Sequence, residues 1–333
     1  MLTVAHWRAA LALIAAVAAL ESVQAAVQET LTVGTADGPR KLIMVTPDAA
    51  APALSPRPLV LLLHGHGGTA DNAMGHGLRP SPLSAWRAIV DREGIVLAVL
   101  QGSSGGDGKP GWNDCRGTAP GNPHTDDVAF ARDAIQDVAR RVPIDLTRIY
   151  AMGMSNGAMM SQRLALELQP RLAAFAAVSG SLAADSVCSA PGNPVSALLV
   201  FGTDDPVVPY AGGEVKILGR PRGSVLSVEQ NLAFWLRVDA LDGASTPKNT
   251  NQIAHLAAGV DPTSASQAVY GADTKQPQVS LLRIAGGGHI EPSLQYHYGT
   301  LYESLVGKQS RDLESAELAW QFFKDKRTGA AKH

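Results

Sequence analysis

Hydrophobic positions along this chain fall into two patterns. Short unbroken apolar runs occupy Leu59–Leu63, Ile95–Leu100, Arg148–Met152, Phe175–Val178, Ala197–Phe201 and Val279–Ile284. Runs of that length without polar alternation suit strands buried on both faces of a sheet. Between them the apolar spacing changes to three and four. In Thr125–Val142, the residues Val128, Ala131, Ile135, Val138 and Val142 share one helical face. Thr125 is the expected cap, with Asp126 and Asp127 in a first turn that favours negative charge. Asn156–Leu168, Ser227–Leu241 and Arg311–Lys326 also read as helices; in the last, Leu313, Ala316, Trp320 and Phe323 align. Glu29–Gly34 and Arg40–Pro47 read as an antiparallel edge pair. Strands alternating with helices predict an α/β fold, a doubly wound, mostly parallel sheet with helices on both faces.

One segment fits this pattern poorly. Residues 211–278 carry one good helix and then the polar stretch DGASTPKNTNQIAHLAAGVDPTSAS. It reads as an irregular insertion, a lid or binding region. The Pro/Ala-rich Asp48–Pro58 reads as a loop, and no internal repeat is visible, so 26–333 is expected to form a single catalytic domain.

Composition narrows the setting. The chain has 333 residues, 45% hydrophobic and 17% charged, with a net charge of −2. That suits one large domain and offers no basic block for a nucleic acid, nor any sign of a partner protein. At the N-terminus, Arg8 precedes an apolar run from Ala9 to Leu20, and Val23-Gln24-Ala25 resembles a cleavage site. Residues 1–25 therefore read as a secretory signal peptide, with an uncleaved anchor helix as the alternative. Export followed by cleavage would leave no stable membrane insertion. No cysteine follows the apolar run, so a lipid anchor is not expected. The two cysteines, Cys115 and Cys188, would pair in an exported protein; two buried free thiols are the other possibility.

The chemistry gathers around Gly153-Met-Ser155-Asn-Gly157, placed where a strand turns into a helix. Small residues on either side let a tight turn present Ser155 Oγ at the sheet's carboxyl end, with the N–H of Asn156 facing a developing oxyanion. His64-Gly-His66-Gly-Gly68 follows the first central strand, where a second oxyanion donor is expected. The N–H of His66 is the first choice and that of Gly67 the fallback; the imidazoles of His64 and His66 are expected to be structural. A serine needs a histidine base and an orienting acid. Asp205 has the Gly-x-x-Asp spacing from Gly202, with Asp204 as competitor. His289, after a strand and three glycines, is the expected base ahead of His255, His297 and His333.

Taken together, LHGHGG, GWNDC, TDDVAF, RIYAMGMSNGAMM, VSGSL, FGTDDPVVPY, GGGH and AWQFF resemble the polyhydroxybutyrate depolymerase-like family of secreted esterases, which includes bacterial feruloyl esterases. The resemblance spans most of residues 30–325. It implies an α/β-hydrolase with Ser155, Asp205 and His289 as triad, and no metal or cofactor. It also places Trp112 near the acyl pocket and makes Cys115–Cys188 a bond tying the pocket loop to the loop after the Phe175–Val178 strand. The chain departs from the family at two points. Many members continue the glycine-rich histidine with Thr-Trp-Pro, where this chain has Ile290-Glu291-Pro292. Many also carry more cysteines around the Trp-Asn motif.

The function expected is a secreted serine carboxylic-ester hydrolase acting on feruloyl or acetyl esters of plant polysaccharide. The substrate would be a small or polymeric ester. A polyhydroxybutyrate depolymerase acting on polyester or oligomers is the alternative; attack on solid polyester commonly uses an added surface-binding domain, and no linker to one is legible. A serine peptidase on the same fold is a further alternative.

Overall fold

The computed structural model describes residues 26–48, 55–78, 80–189, 193–243, 249–253 and 262–329. The expected signal peptide and the alternative bases His255 and His333 lie outside the described residues.

The strands, in chain order, are β1 (Val27–Thr35), β2 (Gly38–Thr46), β3 (Arg57–Leu63), β4 (Val96–Leu100), β5 (Ser103–Ser104), β6 (Pro110–Gly111), β7 (Ile144–Met154), β8 (Ala174–Val178), β9 (Ser196–Gly202), β10 (Gly213–Ile217), β11 (Arg220–Val225), β12 (Asn249–Ile253), β13 (Ser264–Tyr270) and β14 (Val279–Ala285). The helices are α1 (Ala70–Ala73), α2 (Trp86–Glu93), α3 (Asp127–Arg141), α4 (Asn156–Glu167), α5 (Val228–Val238), α6 (Thr300–Val306) and α7 (Ser315–Phe323).

Ten strands form one sheet in the order β1-β2-β4-β3-β7-β8-β9-β14-β13-β12. The six from β4 to β14 are mutually parallel, and antiparallel strands extend both edges. Strand periodicity sorts the apolar side chains between two faces. On one, Leu59, Leu61 and Leu63 pack with Phe130 and Ile135 of α3, Leu164 of α4 and Trp235 of α5. On the other, Val60 and Leu62 pack with Trp86 of α2 and with Trp320 and Phe323 of α7. The sheet is thus covered on both sides, as the unbroken apolar runs require. None of the helices among the described residues is long and apolar enough to cross a membrane.

Two expectations are corrected. Asp126, not Thr125, caps α3, its carboxylate accepting the Ala129 N–H at 2.9 Å. Asp127 lies in the first turn as expected, and there it turns inward to Arg40 at 2.7 Å. The 211–278 segment is also far more regular than expected. It holds the β10–β11 hairpin, α5, and strands β12 and β13, which prolong the main sheet beyond β14. Its polar alternation is that of edge and ribbon strands with one solvated face, a weaker signal than the apolar runs of central strands.

Candidate active site

At the carboxyl end of β7 the chain turns sharply. Ser155 has φ 56° and ψ −121°, a backbone conformation that costs a residue with a side chain, and α4 starts at the next residue. The residues two positions to either side have to be glycine: a Cβ on Gly153 would land on the Gly157 carbonyl, and one on Gly157 on the Leu63 carbonyl. The turn is therefore wedged between its own helix and β3.

The structure brings Ser155, His289 and Asp205 into one hydrogen-bonded chain. His289 Nε2 lies 2.9 Å from Ser155 Oγ, and its Nδ1 lies 2.7 Å from Asp205 Oδ2. An ionised carboxylate only accepts, which puts the ring proton on Nδ1 and leaves Nε2 free to accept from the serine hydroxyl. Asp205, buried just past β9, is itself fixed: its Oδ1 accepts the N–H groups of Val207 and Val208, both at 2.8 Å. The competitor Asp204 is exposed and accepts from the Thr203 hydroxyl at 2.7 Å. His297 is exposed in a loop. His289 is braced through its backbone N–H, which donates to Val306 O at 2.6 Å.

The N–H of Asn156 opens α4, so it has no acceptor a turn earlier. On the facing loop the N–H of Gly67, the fallback donor, is engaged by Pro110 O at 2.7 Å. The His64 ring is a buried tie. Its Nδ1 lies 2.8 Å from Gly65 O, and its Nε2 accepts from the Gly102 N–H at 3.0 Å. Burial pushes its pKa down to about 4, so it stays neutral between these two partners.

Trp112 lies next to the serine turn, bonded to Asn156, but its side chain is enclosed. Its side chain is 0% exposed and offers no face to a substrate. Instead Nε1 donates to His64 O at 2.7 Å, and its backbone exchanges hydrogen bonds with the Asn156 amide at 2.7 and 3.1 Å. Trp112 lies beneath the site and joins the two loops that carry Asn156 and His66. The disulfide Cys115–Cys188 is formed and links this segment to the loop after β8. Glu291, two residues after His289, is buried, and burial pushes its carboxyl up.

Several residues that shape the site were given no role there by the sequence. Asp114 accepts from Asn156 Nδ2 at 2.5 Å, from Asn122 Nδ2 at 3.0 Å and from Arg116 at 2.9 and 2.6 Å. Asp127, paired with Arg40, takes the Asn113 N–H at 2.7 Å. Arg40 in turn stacks 3.9 Å from the Phe130 ring centre. The Trp112–Arg116 segment thus hangs from two buried ion pairs. A readable hint was the density of charge in so buried a stretch, Asn113-Asp-Cys-Arg116, since buried charges need partners.

The parallel sheet, the strained serine turn and the acid–histidine–serine chain define an α/β-hydrolase. Comparison with known proteins agrees: the phospholipase/carboxylesterase family matches residues 46–216, a span that includes Ser155 and Asp205 and ends before His289. The chain belongs to this family of esterases. It is 30% identical over 280 residues to a protein of Nocardia uniformis subsp. tsuyamanensis named "Putative esterase NocK", covering 82% of this chain and 76% of that one. It is 28% identical over 206 residues to Feruloyl esterase B of Piromyces equi, covering 60% of this chain but only 34% of that enzyme. The acetyl xylan esterase of Aspergillus awamori shares the fold, with a TM-score of 0.51 at 14% identity, over 84% of this chain and 98% of that one.

Proposed function

We propose that this protein is a secreted serine carboxylic-ester hydrolase whose catalytic unit is 26–333, acting on feruloyl or acetyl esters of plant polysaccharide. The observation that carries the reading is the Ser155–His289–Asp205 chain at 2.9 and 2.7 Å. Ser155 Oγ attacks the ester carbonyl carbon while its proton passes to His289 Nε2. The N–H groups of Asn156 and His66 hold the oxyanion. The carbon–oxygen bond to the alcohol breaks as Nε2 returns the proton to the leaving oxygen. Water then attacks the acyl-serine, giving its proton to His289, and Ser155 departs with that proton. Asp205 keeps the imidazole oriented and stabilises its charged form.

The polysaccharide-ester reading draws on the similarity to Feruloyl esterase B. Secretion draws on the N-terminal signal pattern and on the Cys115–Cys188 bond, which oxidising compartments favour. A second reading, hydrolysis of hydroxybutyrate oligomers, draws on the sequence resemblance to polyhydroxybutyrate depolymerase-like esterases.

A turnover panel separates the two. With p-nitrophenyl acetate, methyl ferulate and a hydroxybutyrate trimer, the acetate or ferulate ester is expected to show the higher kcat/KM. Preference for the trimer would overturn the polysaccharide-ester reading.

A further inference from the structure

The β10–β11 hairpin (Gly213–Val225) is linked through intervening side chains to both candidate oxyanion-donor residues, His66 and Asn156, and both links start from one residue. The Arg222 side chain donates through Nη2 to Asp107 Oδ2 at 2.7 Å, and the same oxygen lies 3.0 Å from His66 Nε2. The Arg222 carbonyl accepts from Arg116 Nη1 at 2.5 Å, and Arg116 holds Asp114, which holds the Asn156 amide. One arm therefore ends on His66 and the other on Asn156. We propose that Arg222 is a positioning residue for ester hydrolysis, fixing the spacing of the two oxyanion donors from the hairpin. The inference rests on the reading of His66 and Asn156 as those donors and of Ser155 as nucleophile.

The arrangement is enclosed rather than draped over the surface. The Arg222 and Asp107 side chains are only 11% and 24% exposed. A Cβ on Gly121 would land on the Arg222 guanidinium, so the Gly121 backbone covers it. Asp107 is also held by the Lys109 N–H at 3.1 Å. Burial works against its ionised form, yet the bonds from Arg222, Lys109 and His66 together hold its carboxyl well below the usual carboxylate range. A two-stranded ribbon has little stability alone. This one is pinned on its other side by Lys216 N–H to Val207 O at 3.1 Å and Leu226 N–H to Leu182 O at 2.8 Å. It is thus bonded to the Asp205 loop at Val207 and, through Arg222, to Asp107, the partner of His66.

Displacing preorganised donors by a fraction of an ångström affects the transition state more than the bound ester. Arg222→Met is therefore expected to lower kcat for p-nitrophenyl acetate by about 10- to 100-fold, with KM changed by less than about 3-fold. Affinity for a short alkylboronic acid, which binds serine hydrolases as a tetrahedral anion, should fall with kcat. Arg222→Lys, keeping a donor for Asp107, should recover part of both. Lys216→Met, which breaks the exposed Lys216–Glu214 pair on the same hairpin, should change neither. If Arg222→Met does not fold, Asp107→Asn carries the test with the same expected split. Wild-type kcat and boronate affinity in a folded variant would overturn the proposal. So would a KM rise at constant kcat, which would make the hairpin a substrate wall. Ser155→Ala, run alongside, separates the two failures: if it retains turnover, the reading of the site has failed rather than the role of Arg222.

Discussion

The two ends of the central sheet treat buried carboxylates differently. At the carboxyl end, Asp205 accepts from two backbone N–H groups and lies against His289, and Asp114 gathers bonds from Asn156, Asn122 and Arg116. At the amino end, Asp239 takes the Val195 N–H at 2.8 Å, and its other oxygen has no partner among the described residues. Burial pushes its pKa up to about 7. Lys326, nearby, is buried and pushed down to about 8, and its Nζ is occupied by the carbonyls of Thr274 and Gln276 and the amide oxygen of Gln278. Saturated carboxylates hold a geometry; an unsaturated one only adds a cost that varies with pH. The contrast points to the carboxyl end as the place where position matters.

The largest effect expected from this contrast is at Asp205. Asp205→Asn keeps the shape but cannot hold the correct His289 tautomer, so kcat should fall by about 1000-fold or more, measured on p-nitrophenyl acetate. Asp204→Asn should stay within about 3-fold, since its exposed carboxylate accepts from the Thr203 hydroxyl and lies away from His289 Nδ1, which Asp205 holds. Reversal of that order would break the comparison at its functional end.

A smaller effect, of opposite sign, is expected at Asp239. Its folded pKa lies above the unfolded value near 4, so the folded state keeps its proton after the unfolded chain has lost it. Stability should therefore fall as pH rises from about 4 to about 7, by on the order of 2–4 kcal/mol from this group. Asp239→Asn removes the titration. Urea unfolding at pH 5 and pH 8 should show a flatter slope and a variant more stable than wild type at pH 8. An unchanged slope would mean that Asp239 is ionised at neutral pH in the fold.

What was legible in the sequence follows from the range of the forces involved. The elbow could be read because its constraint is local: the glycines at 153 and 157 are there because backbone carbonyls occupy the space of a Cβ. The central strands could be read because burial on both faces leaves no polar alternation. Asp205 and His289 were placed by strand-end position and order. The hairpin was not legible, because Gly213–Val225 has no apolar run and is held by partners far away in sequence, such as Asp107 and Arg116. How Trp112 meets the site was not legible for a similar reason. An aromatic residue beside a catalytic motif can line a pocket or support it from below, and only the bonds to His64 O and the Asn156 amide distinguish the two.

The central claim is that Ser155 is the nucleophile of an esterase, and its most direct test is turnover of p-nitrophenyl acetate by Ser155→Ala. The account predicts loss of at least about 1000-fold in kcat, with a thermal transition close to that of the wild type. Residual activity above about a tenth of wild type, in a folded variant, would contradict it and remove Ser155 from the reaction.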